Sequence, residues 1–128
     1  MKRLSLVSLL TLMFNLIGFA QKEKPPFDCS PLNQENSNRV YEHLDSTLVW
    51  PDQIEKGEMT YVVHVAVIFT QAGLVKELKV ERGINPLFDE NAIKACEEFK
   101  SWNWSSEIDP NSTYDIYKIR VPVPFKPN

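Results

Sequence analysis

Residues able to carry chemistry are scarce in this chain of 128 residues, which has two histidines, two cysteines and four glycines. His43 and His64, with Cys29, Cys96 and scattered carboxylates, show no metal-ligand spacing. No glycine-rich phosphate loop and no Gly-x-Ser-x-Gly elbow occurs. Catalysis, a bound metal and a cofactor are therefore not expected. Positive charge is also short, at 14 Lys and Arg against 17 Asp and Glu, which argues against nucleic acid or an anionic membrane as the main partner. Internal repeats and low-complexity tracts are missing. So is an apolar run of the roughly 20 residues that a membrane span requires: the run from Leu4 to Ala20 is shorter and carries Asn15.

What the amino terminus does have is the pattern of a secretory leader. Lys2 and Arg3 precede the apolar run, and the small residues Gly18 and Ala20 stand where a leader peptidase needs them. Residues 1–20 are read as a signal peptide, with an inner-membrane anchor as the alternative if it is not cleaved. Without them, two basic residues and no acidic ones are lost, leaving a charge of −5. The rest is about one domain long, enough to bury a core of its own. In an exported chain, two cysteines invite a disulfide. Cys96 shares a helical face with Phe88, Ala92 and Phe99, so it reads either as a core thiol or as the partner of Cys29.

Residues 21–36 are polar and carry prolines, which remove amide donors and favour extended backbone. They are read as a linker or N-terminal arm. Val40, Tyr41, Leu44 and Leu48 then recur at helical spacing, predicting a short amphipathic helix that ends before Trp50-Pro51.

The run Tyr61–Phe69 is apolar on both faces and predicts a central strand. Leu74, Leu78 and Val80 alternate with polar residues, predicting a half-buried partner joined through a hairpin at Gly73. Asn85 can cap a helix with Pro86 at its first position and Asp89 and Glu90 near its positive end. A right-handed crossover then brings the last strand to the far side of the central one. The expected fold is α+β: a three-stranded antiparallel sheet in the order second, first, third, with a β-β-α-β core, one packed helix and an N-terminal helix.

In the last strand, Tyr117, Ile119, Val121, Val123 and Phe125 form the core face. Pro122 and Pro124 remove donors from one edge only, so the odd-numbered residues must make the ladder to the central strand. The other edge, along Tyr114, Ile116, Lys118 and Arg120, is expected to be open. It is either protected against aggregation by its prolines or is a short rail for an extended peptide.

Taken in order, these features resemble the C-terminal domain of TonB-type energy transducers. Trp50-Pro51 resembles the Tyr-Pro that begins such domains. Gly73, Val75, Val80 and Arg82-Gly83 follow the turn and second strand, Asp89 and Ala92 the helix start, Trp102-Asn103-Trp104 the aromatic pair, and Pro122 and Phe125 the closing Pro-x-x-Phe. The resemblance covers roughly residues 40–126 and assigns residues 37–128 to one TonB C-terminal-like domain. It implies a non-enzymatic periplasmic domain of a Gram-negative bacterium that captures an extended segment of an outer-membrane transporter as an added strand. Tyr114, Ile116, Lys118, Arg120, Trp50 and Pro51 would be the partner-binding residues, and a homodimer through the same edge is a further option.

Tyr61 and Val62 replace the glycine that usually opens the first strand, Ser105 follows the aromatic pair where proline is common, and Pro124 shortens the edge. Residues 21–36 span at most about 55 Å when fully extended, far less than a transducer's stalk. An adaptor or regulator that keeps the fold without transducer duty is therefore the alternative. For the leader, N-terminal sequencing of the exported protein is expected to begin at Gln21; an intact Met1 in a membrane fraction would make the segment an anchor.

Overall fold

The central strand organises the sheet because neither of its faces can remain wet. In the computed structural model, which describes residues 24–127, this strand is β2 (Tyr61–Thr70), following β1 (Phe27–Asp28) and helix α1 (Gln34–Thr47). Strand β3 (Val75–Arg82), helix α2 (Pro86–Cys96), two short 3-10 turns at Glu97–Ser101 and Ser105–Glu107, and strand β4 (Ile116–Phe125) complete the chain. The signal-peptide reading of residues 1–20 lies outside the described residues. No described helix is long and apolar enough to cross a membrane.

The expected core order holds: β2 pairs antiparallel with β3 on one side and with β4 on the other. The three-stranded antiparallel sheet does not. The sheet has four strands in the order β1-β4-β2-β3 and is mixed, because β1 runs parallel to β4 with Phe27 opposite Tyr117 and Asp28 opposite Lys118. Two residues in extended conformation carry no periodicity, so the segment read as a linker or arm is where the fourth strand lies. The edge expected to be open is filled by the chain's own amino-terminal part. Residues 34–36, also read as arm, form the first turn of α1.

Local chemistry explains each element. Asn85 Oδ1 accepts from the Leu87 and Phe88 amides at 3.0 Å, and Pro86 fills the first helical position of α2. Asp89 turns back to accept from the Ile84 amide (2.9 Å), packed where any side chain on Gly83 would have to sit. Asn33 caps α1 by accepting from the Asn36 amide at 2.8 Å. The cap is itself held by Glu107, whose carboxylate accepts from the Asn33 amide (3.1 Å) and from Nδ2 of the buried Asn36 (2.7 Å). A negative charge at that helix end suits its dipole.

One face of the sheet packs on the helices. Val63, Val65, Val67 and Phe69 of β2 and Tyr117, Ile119, Val121, Val123 and Phe125 of β4 are buried against Val40, Leu44, Phe88, Ala92, Cys96, Phe99 and Trp104. Trp104 fills the far end, its indole N–H donating to the Phe99 carbonyl at 2.9 Å. His43 joins the helices, its ring meeting the Ala95 carbonyl through Nε2 (2.8 Å) and the Glu98 carboxylate through Nδ1 (2.9 Å).

The β2–β3 turn is locked from outside. Gly73 has φ of 87°, its carbonyl accepts from the Trp104 amide (2.9 Å), and Asn103 Nδ2 donates to the Ala72 carbonyl (3.0 Å). A Cβ at Gly73 would collide with Asn103 Oδ1 and the Ser105 amide. Both the backbone angle and the space demand glycine. Gly73→Ala is therefore expected to lower stability by about 2–4 kcal/mol, read as a lower urea midpoint by tryptophan fluorescence. An unchanged midpoint would show that the Asn103-Trp104 clamp does not hold the turn.

Candidate functional site

Along β4, backbone polarity sorts by residue parity as the proline pattern requires. The even-numbered groups face away from β2: the Lys118 carbonyl accepts from the Cys29 amide (2.8 Å), and the Arg120 amide donates to Ser30 Oγ (2.8 Å). Pro122 and Pro124 continue the same side without donors. Usable edge therefore ends at Arg120, and β1 already lies along its middle.

Side chains around β1 form three small contacts. The Phe27 ring stacks on Tyr114 at 4.6 Å and meets the edge of Tyr117 at 6.2 Å. Asp28 accepts from the Ser30 amide at 2.9 Å and stands 3.9 Å from Lys118 Nζ. Ser30 closes the run through its bond from Arg120. Hydrogen bonding from Ser30, aided by the positive charges of Lys118 and Arg120, holds the Asp28 carboxyl below its ordinary range against the opposing effect of partial burial.

Lys118 and Arg120 are held from the opposite side of the sheet by Glu81. The register steps from His64 opposite Arg82 to Val65 opposite Val80, leaving Glu81 as an unpaired bulge residue. Its carboxylate reaches over β2 to Lys118 Nζ (2.8 Å) and to Arg120 Nη2 (2.6 Å) and Nε (2.9 Å). Ala66, opposite both Lys79 and Arg120, has only a methyl group to bar the way and is fully buried. The Glu81 side chain is only 23 % exposed, and hydrogen bonding from Lys118, then from Arg120, holds its carboxyl below the ordinary range. His64, Glu81, Arg82 and Arg120 line a cavity of about 230 Å³, and His64 Nδ1 is buried without a hydrogen-bond partner among the described residues.

The structure thus brings Tyr114, Lys118 and Arg120 together around β1, with Ile116 beginning the strand. It does not bring Trp50 and Pro51 there. Trp50 packs on Phe88 (5.3 Å) and Tyr61 (6.1 Å), and its indole N–H donates to the Ile54 carbonyl (2.7 Å); Pro51 is buried. These two residues close the Phe125 end of the core. Cys29 and Cys96 are free thiols, so the bridge considered for them is not formed. Burial raises the Cys96 thiol to about 12 and, with Glu107 and Asp28 nearby, the Cys29 thiol to about 11. Neither is a thiolate near neutral pH. Sequence reasoning missed Phe27, Asp28, Ser30 and Glu81; the Phe-Asp-x-Ser order after Pro25-Pro26 was the only available signal.

Comparison with family models, with curated proteins and with solved structures finds no match to this chain.

The Glu81 bridge has a definite pH signature. A carboxyl held below its unfolded value contributes stability that is present above that value and is lost as pH falls through the lower folded one. The unfolded values are 4.5 for Glu81 and 3.8 for Asp28. The urea midpoint is expected to fall as pH drops below about 4.5. Glu81→Gln should lower it at pH 7 and show a shallower acid decline, so that parent and variant converge in acid. A constant gap between them across this range would remove the bridge as the cause.

Proposed function

We propose that this chain is an exported, non-enzymatic binding domain, similar to the TonB C-terminal domain, that docks an extended segment of an outer-membrane transporter by strand addition on β4. The observation that carries the reading is that outward backbone groups of β4 are taken by an extended segment, the Lys118 carbonyl by the Cys29 amide and the Arg120 amide by the Ser30 hydroxyl. Strand addition draws its affinity from main-chain bonds and its selectivity from side chains on alternate positions. Here the flanking side chains are the aromatic Tyr114 and Tyr117 and the cationic Lys118 and Arg120. The prolines at 122 and 124 end the edge and limit its use for uncontrolled sheet growth.

The filled edge favours a second reading beside the first. A domain whose rail is held by its own arm suits an adaptor or regulator without transducer duty. Both readings place the protein in the periplasm and share the same docking edge. A homodimer through that edge would need the arm to leave in both copies.

Arg120→Pro tests the edge. Its amide faces outward, so the ladder to β2 is kept, and the strand already accepts proline at 122 and 124. Binding of synthetic peptides taken from the plugs of the host's outer-membrane transporters is expected to be lost in Arg120→Pro and retained within severalfold in Arg120→Ala, with both variants folded by circular dichroism. Equal binding by parent and folded Arg120→Pro would exclude strand addition at this edge. No saturable binding by the parent would favour the adaptor reading.

A further inference from the structure

We propose that residues Phe27–Ser30 are a displaceable resident of the β4 edge, and that their order, an aromatic, an acidic, any and a hydroxyl residue, is the chemistry this edge accepts from a partner strand running parallel to β4. The inference rests on the docking reading above and specifies its partner.

The arm is seated lightly where it pairs and firmly where it ends. Both residues of β1 are exposed, and Phe27 retains 41 % of its surface. Asp28 is a distant neighbour of Lys118 at 3.9 Å, whereas Glu81 holds the same ammonium at 2.8 Å. Lys118 and Arg120 therefore keep their place over Ala66 whether or not the arm is present. Cys29 and Leu32, packed at the margin of the core, resist departure. Past them, Asn33 and Asn36 are tied to Ser106 and Glu107, so helix α1 is secured by bonds that do not involve β1. Release thus needs to involve only the residues before Asn33.

Each seat selects one residue type. The space between Tyr114 and Tyr117 takes a flat ring. Beside it, two cations, one amide from the incoming chain and the outward Lys118 carbonyl favour an acidic residue followed by a free backbone N–H. The Arg120 amide, placed beyond the last full pair, takes an acceptor, which Ser30 supplies from its hydroxyl. The parallel direction follows from the register of Phe27 and Asp28 with Tyr117 and Lys118.

Tethering makes the arm a strong competitor despite its few bonds. A short flexible tether gives an effective concentration in the millimolar range. A free peptide of the same sequence at micromolar concentration therefore cannot displace it. Its apparent affinity scales with the fraction of molecules whose edge is free. Weakening the resident should consequently tighten binding of the same sequence supplied in trans.

The test uses the full chain and a fluorescein-labelled peptide of residues 24–32 carrying Cys29→Ser, read by anisotropy. The variant Phe27→Ala/Asp28→Lys removes the ring and reverses the charge facing Lys118 and Arg120. It is expected to bind the peptide at least tenfold more tightly than the parent does, while a peptide bearing the same two changes binds neither protein. Equal affinity of parent and variant, or no binding by the variant, would overturn the proposal. So would a parent that sediments as a dimer and a variant that sediments as a monomer, because the occupant would then be the arm of a second copy.

Should the double variant not fold, amide exchange in the parent decides. Exchange at Cys29 and Arg120 is expected to be at least a hundredfold faster than at Val65; equal protection would make the arm a fixed strand. The two readings fail separately. Transporter peptides that bind parent and double variant equally, through an edge sensitive to Arg120→Pro, would leave docking standing and remove the resident arm. An arm peptide that binds the variant where no transporter peptide does would keep the arm and remove the transporter.

Discussion

β2 is apolar on both faces, and the rest of the structure is arranged to keep water from it. The helices cover one face through Val63, Val65, Val67 and Phe69. Among the described residues no helix covers the other, where Ala66 and Ile68 are nonetheless buried. The cover there is made of charged side chains laid flat: Glu81 from β3 meets Lys118 and Arg120 from β4 above Ala66. The aliphatic stems of Lys and Arg shield apolar surface while their heads remain at the water boundary. An ion pair half out of solvent is a weak source of net stability by itself. Its weight here lies in closing the second face of the central strand, which an alanine leaves too thin to close alone.

That cover links two features that are far apart in the chain. The bulge at Glu81 sets where the carboxylate falls, and the parity of β4 sets which cations it meets. Because a one-residue slip in a strand moves every side chain to the opposite face, a β3 without the bulge would bring a different residue over Ala66 and leave Lys118 and Arg120 without their common partner. The turn at Gly73 and its clamp by Asn103 and Trp104 hold the other end of the same hairpin in register. Edge chemistry on β4 thus depends on a strand two places away.

Much of this was legible in the residues. The two-sided apolar run marked the central strand, the Asn85-Pro86-x-x-Asp89 order marked the start of α2, and the alternation ending in Pro122 and Pro124 marked which side of β4 pairs inward. Those signals are local and periodic. What escaped them is not. Phe27 and Asp28 make a strand only because β4 presents backbone groups to them some ninety residues later, and a pair of residues has no period to detect. Glu81 was read as part of a wet face, which is correct for its position but blind to the bulge that re-aims it. Trp50 and Pro51, singled out because they resemble the opening of a familiar domain, lie at the Phe125 end of the core, away from the β4 edge, where Trp50 packs on Phe88 and Tyr61.

A filled edge changes what the prolines at 122 and 124 mean. On an open strand they would be needed against sheet growth along its whole length. With β1 seated from Tyr117 to Lys118 and Ser30 capping Arg120, only the carboxyl-terminal stretch of the edge would lie bare, and that is the stretch where the prolines stand. Arm and prolines therefore divide the edge between them, the arm filling one part by pairing and the prolines leaving the other without donors. Any segment that docks in place of the arm is confined to the same few pairs. With so few ladder bonds available, discrimination must come from the side chains at the rim: Tyr114, Tyr117, Lys118 and Arg120. Glu81 then has a second consequence, since by neutralising part of the charge on Lys118 and Arg120 it limits how strongly an acidic strand is attracted. The element that seals the back of the central strand also sets the charge presented at the outer edge of β4.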